Sequence, residues 1–218
     1  MPLSLGGTHA HRQICDITAA AAAAALLSIT TASAQPAPLQ PASASAGTDL
    51  DRSHAVVVHF GYDGHQSFSS PVLEGADPKA KDPANWLPKP LVNSVTNSSA
   101  AAPDSFLCTL WVGEVVANGL YDVKGGTSQD CSGGFRTQWT HGQFAEDNGG
   151  WHRVTGSIVG PRTSGQHNDT TFGMAFNRPP QTGRHKYRLE ARGYAIANDG
   201  TEVRGTLLYG KASSWTCV

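Results

Sequence analysis

The sequence predicts an all-β fold, a single antiparallel β-sandwich following a signal peptide and a Pro/Ala/Ser-rich spacer. Three observations predict it. Apolar residues recur with period two over several stretches, turn residues separate those stretches, and no long stretch carries the 3.6-residue apolar period of an amphipathic helix. The composition agrees: 24 glycines, 13 prolines and 15% charged residues among 218 are unlike the Ala-, Glu-, Lys- and Leu-rich make-up of a helical bundle. The formal net charge is −1, from 16 Lys and Arg against 17 Asp and Glu. That balance excludes nucleic-acid binding through bulk positive charge.

Residues 1–34 read as a removable signal peptide. Arg12 lies in a weakly basic start, Ile17 to Ile29 is apolar with an unbroken alanine run from Ala19 to Ala25, and Ala32-Ser33-Ala34 is the small-x-small pattern of a cleavage site. The apolar run is too short for a bilayer, which takes about 20 residues, so no membrane span is expected once the signal is removed. Cys15 precedes the apolar run, which argues against a lipoprotein anchor. Residues 35–53 read as a disordered spacer with almost nothing to bury.

Residues 54–104 are expected to hold one short strand, His54 to Tyr62 with three consecutive valines, and then a proline-rich loop. Residues 105–218 are expected to form the sandwich. Phe106, Cys108, Leu110 and Val112 share one face of a strand and Trp111 falls on the other. Two more strands are expected at about 135–145 and 151–160, around Trp139 and Trp151, with a turn at Asp147-Asn148-Gly149-Gly150. Phe172, Met174 and Phe176 mark another. His185, Tyr187, Leu189, Ala191 and Gly193 alternate with Lys186, Arg188, Glu190, Arg192 and Tyr194, as on a strand with one buried and one wet face. The final hairpin turns at Asn198-Asp199-Gly200. A three-residue loop with Gly200 left-handed makes paired positions sum to 398, placing Tyr194 opposite Arg204, Ala191 opposite Leu207 and Leu189 opposite Tyr209.

Three cysteines remain after the signal: Cys108, Cys131 and Cys217. An exported chain permits disulfides. Cys108 and Cys131 share the first hairpin region and close a short loop, so their pairing is the expected one; the rival joins Cys217 to either. One thiol is left over in each case, and a Cys217-linked dimer is one consequence.

Gly183-Arg184-His185-Lys186-Tyr187 resembles the start of strand F in immunoglobulin-like domains, with His185 where the corner tyrosine stands. Gly126-Thr127-Ser128-Gln129-Asp130-Cys131-Ser132-Gly133, with Cys108 upstream and Tyr187-Arg188 and Gly193-Tyr194-Ala195 downstream, resembles small secreted proteins of actinomycetes of the Streptomyces type. Those proteins carry a QDCSG-like turn and a YR…GYA strand. The likeness covers about residues 105–210 and implies an extracellular β-rich domain without an assigned activity. Relatives of that kind have a further cysteine before the YR strand; this chain has Phe176-Asn177-Arg178-Pro179 there and a terminal Cys217 instead, which leaves the disulfide pairing open.

No catalytic set assembles from the sequence. Asp130-Cys131-Ser132-Gly133-Gly134 has the surroundings of a chymotrypsin-like nucleophile, but cysteine holds the serine position and no segment marks a histidine base. A Cys131 thiolate would need Cys131 unpaired. His54, His59, His65, His141, His152, His167 and His185 show no metal-ligand spacing; His141 and His152 are expected to face each other across the Asn148-Gly149 turn as a surface pair. No metal or cofactor is expected. Asp63-Gly64 and Asp147-Asn148-Gly149 read as ordinary turns rather than calcium loops. Glu114, Asp122, Glu146, Glu190 and Glu202 are the carboxylates near strands, and nothing singles out the converging pair a glycosidase needs. Exposed rings among Trp86, Trp111, Trp139, Trp151 and Trp215 would suit sugar or protein contact. Asn97-Ser98-Ser99 and Asn168-Asp169-Thr170 match the glycosylation acceptor pattern and read as exposed loops. The expected function is therefore a secreted, non-enzymatic binding protein whose partner is an extracellular protein or a cell-envelope component. The alternatives are a secreted hydrolase, with a deep pocket and perturbed titrating groups, and a carbohydrate-binding module, with coplanar exposed tryptophans.

Overall fold

A computed structural model describes residues 43–47, 50–74, 104–117, 122–176 and 183–217. The signal segment, most of the spacer, most of the proline-rich loop, Trp86 and Asn97 lie outside the described residues. Strands β1 (Ser43–Ala46), β2 (Val56–Tyr62), β3 (Ser67–Ser69), β4 (Leu73–Glu74), β5 (Phe106–Val112), β6 (Val116–Ala117) and β7 (Asp122–Gly133) join with one later strand to make the first sheet. Strands β8 (Phe135–Asp147), β9 (Trp151–Arg153) and β10 (Ile158–Val159) belong to the second sheet, and β11 (His167–Ala175) returns to the first. Strands β12 (Gly183–Ala197), β13 (Glu202–Arg204), β14 (Leu208–Tyr209) and β15 (Ser213–Cys217) complete the second. The first sheet runs β1-β11-β7-β5-β2-β3, with β4 on β2 and β6 on β7; the second runs β10-β8-β12-β13, with β14 and β15 on β12 and β9 on β8. Every paired strand is antiparallel. The fold is an all-β sandwich.

The period-two residues make its core. Phe106, Cys108, Leu110 and Val112 of β5, Val58 and Phe60 of β2 and Phe172 and Met174 of β11 face Phe144 of β8 and Tyr187, Leu189, Ala191 and Ala195 of β12. A polar seam runs through this layer. The Gln129 amide nitrogen donates to Gln138 Oε1 at 2.9 Å and to the Tyr194 carbonyl at 3.0 Å, and Thr127 and Thr140 hydroxyls lie 3.1 Å apart. Buried amides hold their place by such bonds, since each unmet group costs about 1–3 kcal/mol.

Several expectations change. The sandwich does not begin at residue 105: β2, β3 and β4 belong to its first sheet, and so does Ser43–Ala46 from the expected spacer, paired with Thr170–Gly173 of β11. Small residues can add to an open edge because backbone bonds alone make the ladder. Arg52–His54 is a turn of 3₁₀ helix, capped by the Asp51 carboxylate accepting from the Ser53 backbone N–H. The Gly126–Gly133 motif is not a turn but the body of β7; the chain turns only at Gly133-Gly134, where it crosses between sheets. Gly133 has φ +100°, and a Cβ there would collide with the Ser105 carbonyl and lie 2.9 Å from Phe106 Cα, so glycine is required.

The last hairpin keeps the expected register at its tip. Tyr194 lies opposite Arg204 and Ala195 opposite Val203, and Gly200 has φ +97°. Beyond Gly205 the pairing slips by one residue, so Ala191 meets Leu208 rather than Leu207, and Glu190 rather than Leu189 meets Tyr209. The slip is a bulge: the Gly205 N–H donates to the Gly193 carbonyl and the Gly210 N–H to the Leu189 carbonyl, leaving one extra residue on the returning strand. Leu208 enters the core and Tyr209 turns outward.

Candidate binding site

Cys108 and Cys131 are cross-strand partners on β5 and β7, and a disulfide joins them. Cys131 is 2% exposed and held in that bond, so it offers no thiolate. Its neighbours Asp130 and Ser132 point to the opposite, outer face of the first sheet, because successive residues of a strand alternate.

On that face the strand registers line up two transverse rows. His59, Thr109, Asp130 and His167 stand opposite one another on β2, β5, β7 and β11. Beside them stand Val57, Trp111, Ser128 and Asp169. Thr109 Oγ1 lies 2.9 Å from His59 Nδ1. The Arg52 guanidinium comes down from the 3₁₀ turn: it donates to Asp130 Oδ2 at 2.9 Å and to Ser128 Oγ at 2.6 Å, with its carbon 4.1 Å above the Trp111 ring. Leu50, Ala55 and Leu73 pack with Val57 and Trp111, so the segment around Arg52 seals one half of the face. The other half is an open cleft of about 600 Å³ lined by Leu107, Thr109, Ser132, Gln166, Arg52 and His167, among others.

His167 governs the chemistry of this cleft. Its Nδ1 bonds Asp130 Oδ1, and its Nε2 lies 2.8 Å from Asp169 Oδ2. Ionised carboxylates only accept, so a ring that makes both bonds carries a proton on each nitrogen. The bond to Asp130 raises the His167 pKa above its ordinary value; burial opposes this, and Asp169 adds to it. The Arg52 guanidinium also lies 3.4 Å from His167 Nδ1, so Arg52, Asp130 and Asp169 all surround this ring. With both nitrogens engaged, His167 has none left to take a proton from a hydroxyl, which a nucleophile's base must do.

The outer face of the second sheet carries cations and aromatic rings. Trp139 and Tyr194 stack at 5.3 Å, with the Arg162 guanidinium 4.1 Å over Trp139. Arg188 lies 4.1 Å over Trp151 and 4.2 Å over Tyr209. Glu190, expected on a wet face, does face outward but is buried there. Its Oε1 accepts from Arg188 at 2.7 Å, and its Oε2 accepts from Gln143 at 2.9 Å and from Arg153 at 3.1 Å. Burial pushes its pKa up, but the bonds from Arg188, Arg153 and Gln143 outweigh this and hold it below the ordinary value.

The remaining expected site residues are scattered. His141 lies opposite Arg192 and Val159, and His152 opposite Glu146, so the two histidines do not face each other. Glu114 accepts from Ser213, Glu146 pairs with His185, and Asp63 caps its own turn through the His65 and Gln66 N–H groups. Asn168 is buried within β11 and donates to the Pro161 carbonyl at 3.0 Å, so it is not in an exposed loop. Trp111 and Trp139 are buried under arginines and Trp151 is half-buried; among the described residues no coplanar exposed row of tryptophans forms. Nor do three His, Cys, Asp or Glu side chains converge as metal ligands among the described residues.

Sequence reading missed Arg52, Ser128 and Asp169. The available signal was period two: Ser128-x-Asp130 and His167-x-Asp169 each put two polar groups on one strand face. No known protein family and no curated protein matches the chain.

Proposed function

We propose that this is a secreted, non-enzymatic binding protein that holds an extracellular protein or a cell-envelope component in the cleft beside Arg52 and His167. The carrying observation is the state of His167, doubly bonded to Asp130 and Asp169 beside a cysteine already oxidised. The cleft therefore presents hydrogen-bonding groups and the apolar Leu107 to a partner, while its cysteine and His167 are already engaged. Export is supported by the N-terminal signal pattern and by the disulfide, which persists in oxidising compartments. Among the described residues no helix is long and apolar enough to cross a membrane. The likeness to actinomycete secreted proteins belongs to the same proposal. A secreted hydrolase is the second reading, favoured by a perturbed histidine in a cleft.

The test uses protein purified from culture medium, where intact mass is expected to place the N-terminus at Gln35. Retention on isolated cell-wall sacculi and on a panel of secreted proteins is compared with that of Ser132→Trp, which fills the cleft from an exposed position. The expected result is retention weakened at least tenfold with an unchanged melting temperature. Retention equal to wild type overturns the cleft as the binding site. Substrate turnover abolished by His167→Gln overturns the non-enzymatic reading in favour of the hydrolase.

A further inference from the structure

The second sheet's outer face holds a groove of about 180 Å³ that the cleft function leaves unused, lined among others by His141, Ser157, Arg153, Arg192 and Tyr194. Glu190 and Gln143 also line it, and the other polar side chains there can donate. Trp139 Nε1–H can only donate, and it lies 2.9 Å from His141 Nε2, so Nε2 accepts and the proton of the neutral ring sits on Nδ1. Burial keeps His141 neutral by lowering its pKa; Arg162 and Arg192 add to this, and Glu202 opposes it. His141 Nδ1–H then faces Ser157 Oγ at 3.5 Å, which leaves the serine O–H free to donate.

Arg192 is the telling residue. Among the described residues its side chain makes no hydrogen bond or ion pair, and its Nε is buried without a partner. A buried guanidinium N–H left unmet is costly, and an anion is what meets it. Glu190 does not fill that role: four donor groups from Arg188, Arg153 and Gln143 already occupy its two oxygens. Arg188 and Arg153 pair with this one carboxylate, and Arg192 lines the same groove. The Tyr194 ring, 4.3 Å from the His141 ring, closes one wall.

We propose that this groove binds one oxyanionic group — a carboxylate, sulfate or phosphate — between Arg192, Ser157 and Arg153, beside the His141 ring. The groove's size suits a single such group, free or at the end of a small molecule, rather than a polymer chain. The site lies across the sandwich from the cleft and stands or falls independently of it.

The disulfide-intact protein is titrated with sodium sulfate, phosphate or acetate, each against sodium chloride at matched ionic strength. The Trp139 indole N–H, the Arg192 Nε–H and the His141 ring are followed by NMR. A saturable one-site shift is expected with at least one oxyanion, and the tighter of acetate and the tetrahedral ions identifies the preferred shape. Arg192→Gln is expected to weaken binding at least tenfold, and Arg204→Gln, on the same face outside the groove, by less than twofold. Should Arg192→Gln fail to fold, Arg192→Lys and Ser157→Ala are each expected to weaken it severalfold. Shifts that follow ionic strength alone, or variants that bind as wild type does, overturn the proposal.

Discussion

Asp130 and Asp169 flank His167 and raise its pKa, and this makes its contribution depend on pH. Its pKa is raised on folding, so the stability it adds is fully present below its unfolded value of about 6.5 and is lost as pH rises through the folded value. His167→Gln is accordingly expected to lower the denaturation midpoint more at pH 5.5 than at pH 8.5. Urea titrations at both pH values check this, and an equal loss would contradict it. Half of the arrangement was legible: His167 and Asp169 share a strand face by period two, as do Ser128 and Asp130. Their meeting was not, because β7 and β11 are separated by three strands of the other sheet. Glu190 teaches the same at one position. Alternation correctly turned it outward, but its burial depends on Arg153 and Gln143 from distant parts of the chain.

Strand β12 and its hairpin were the most legible elements. Residues 185–194 of this 15-residue strand alternate in sequence, and the loop length at Asn198-Asp199-Gly200 sets the register because a hairpin is local. The bulge after Gly205 was not legible, since it lies where the strand packs against the other sheet: a Cβ on Gly205 would come within 2.9 Å of the Phe60 ring. Strand β1 was illegible for the opposite reason. Ala44, Ser45 and Ala46 bury little, and the open edge of β11 gives the strand its partner. A chain starting at Leu50 is expected to lose about 1–2 kcal/mol, a few ladder hydrogen bonds, and to self-associate through the uncovered edge. Chemical denaturation and concentration-dependent light scattering check both effects. Unchanged stability would mean that β1 contributes nothing to the fold.

At the scale of the molecule, the disulfide and the glutamine seam tie together what the hydrophobic faces bring into contact. The disulfide joins residues 23 apart on neighbouring strands of one sheet. In the chain-entropy model, closing such a loop contributes about 3 kcal/mol. The double variant Cys108→Ala/Cys131→Ala is expected to be less stable by about that energy in denaturant titrations, with an equal or steeper slope because the uncrosslinked unfolded chain exposes more surface. A loss under 1 kcal/mol would show that strand pairing alone already constrains the segment. Gln129 and Gln138 link the two sheets at a point where alternation asks for apolar side chains.

The sequence by itself determined the all-β class, the inward faces of β5, β11 and β12, and the tip of the last hairpin. Each follows from side-chain alternation and turn chemistry, which act over a few residues. Only the tertiary structure decided the strand order, the slip at Gly205, the covering of β11 by β1, and the two transverse rows that place Arg52, Asp130 and His167 together. Those depend on which strands become neighbours, and that choice rests on burying both sheets' apolar faces at once, a condition the whole chain satisfies and no segment contains.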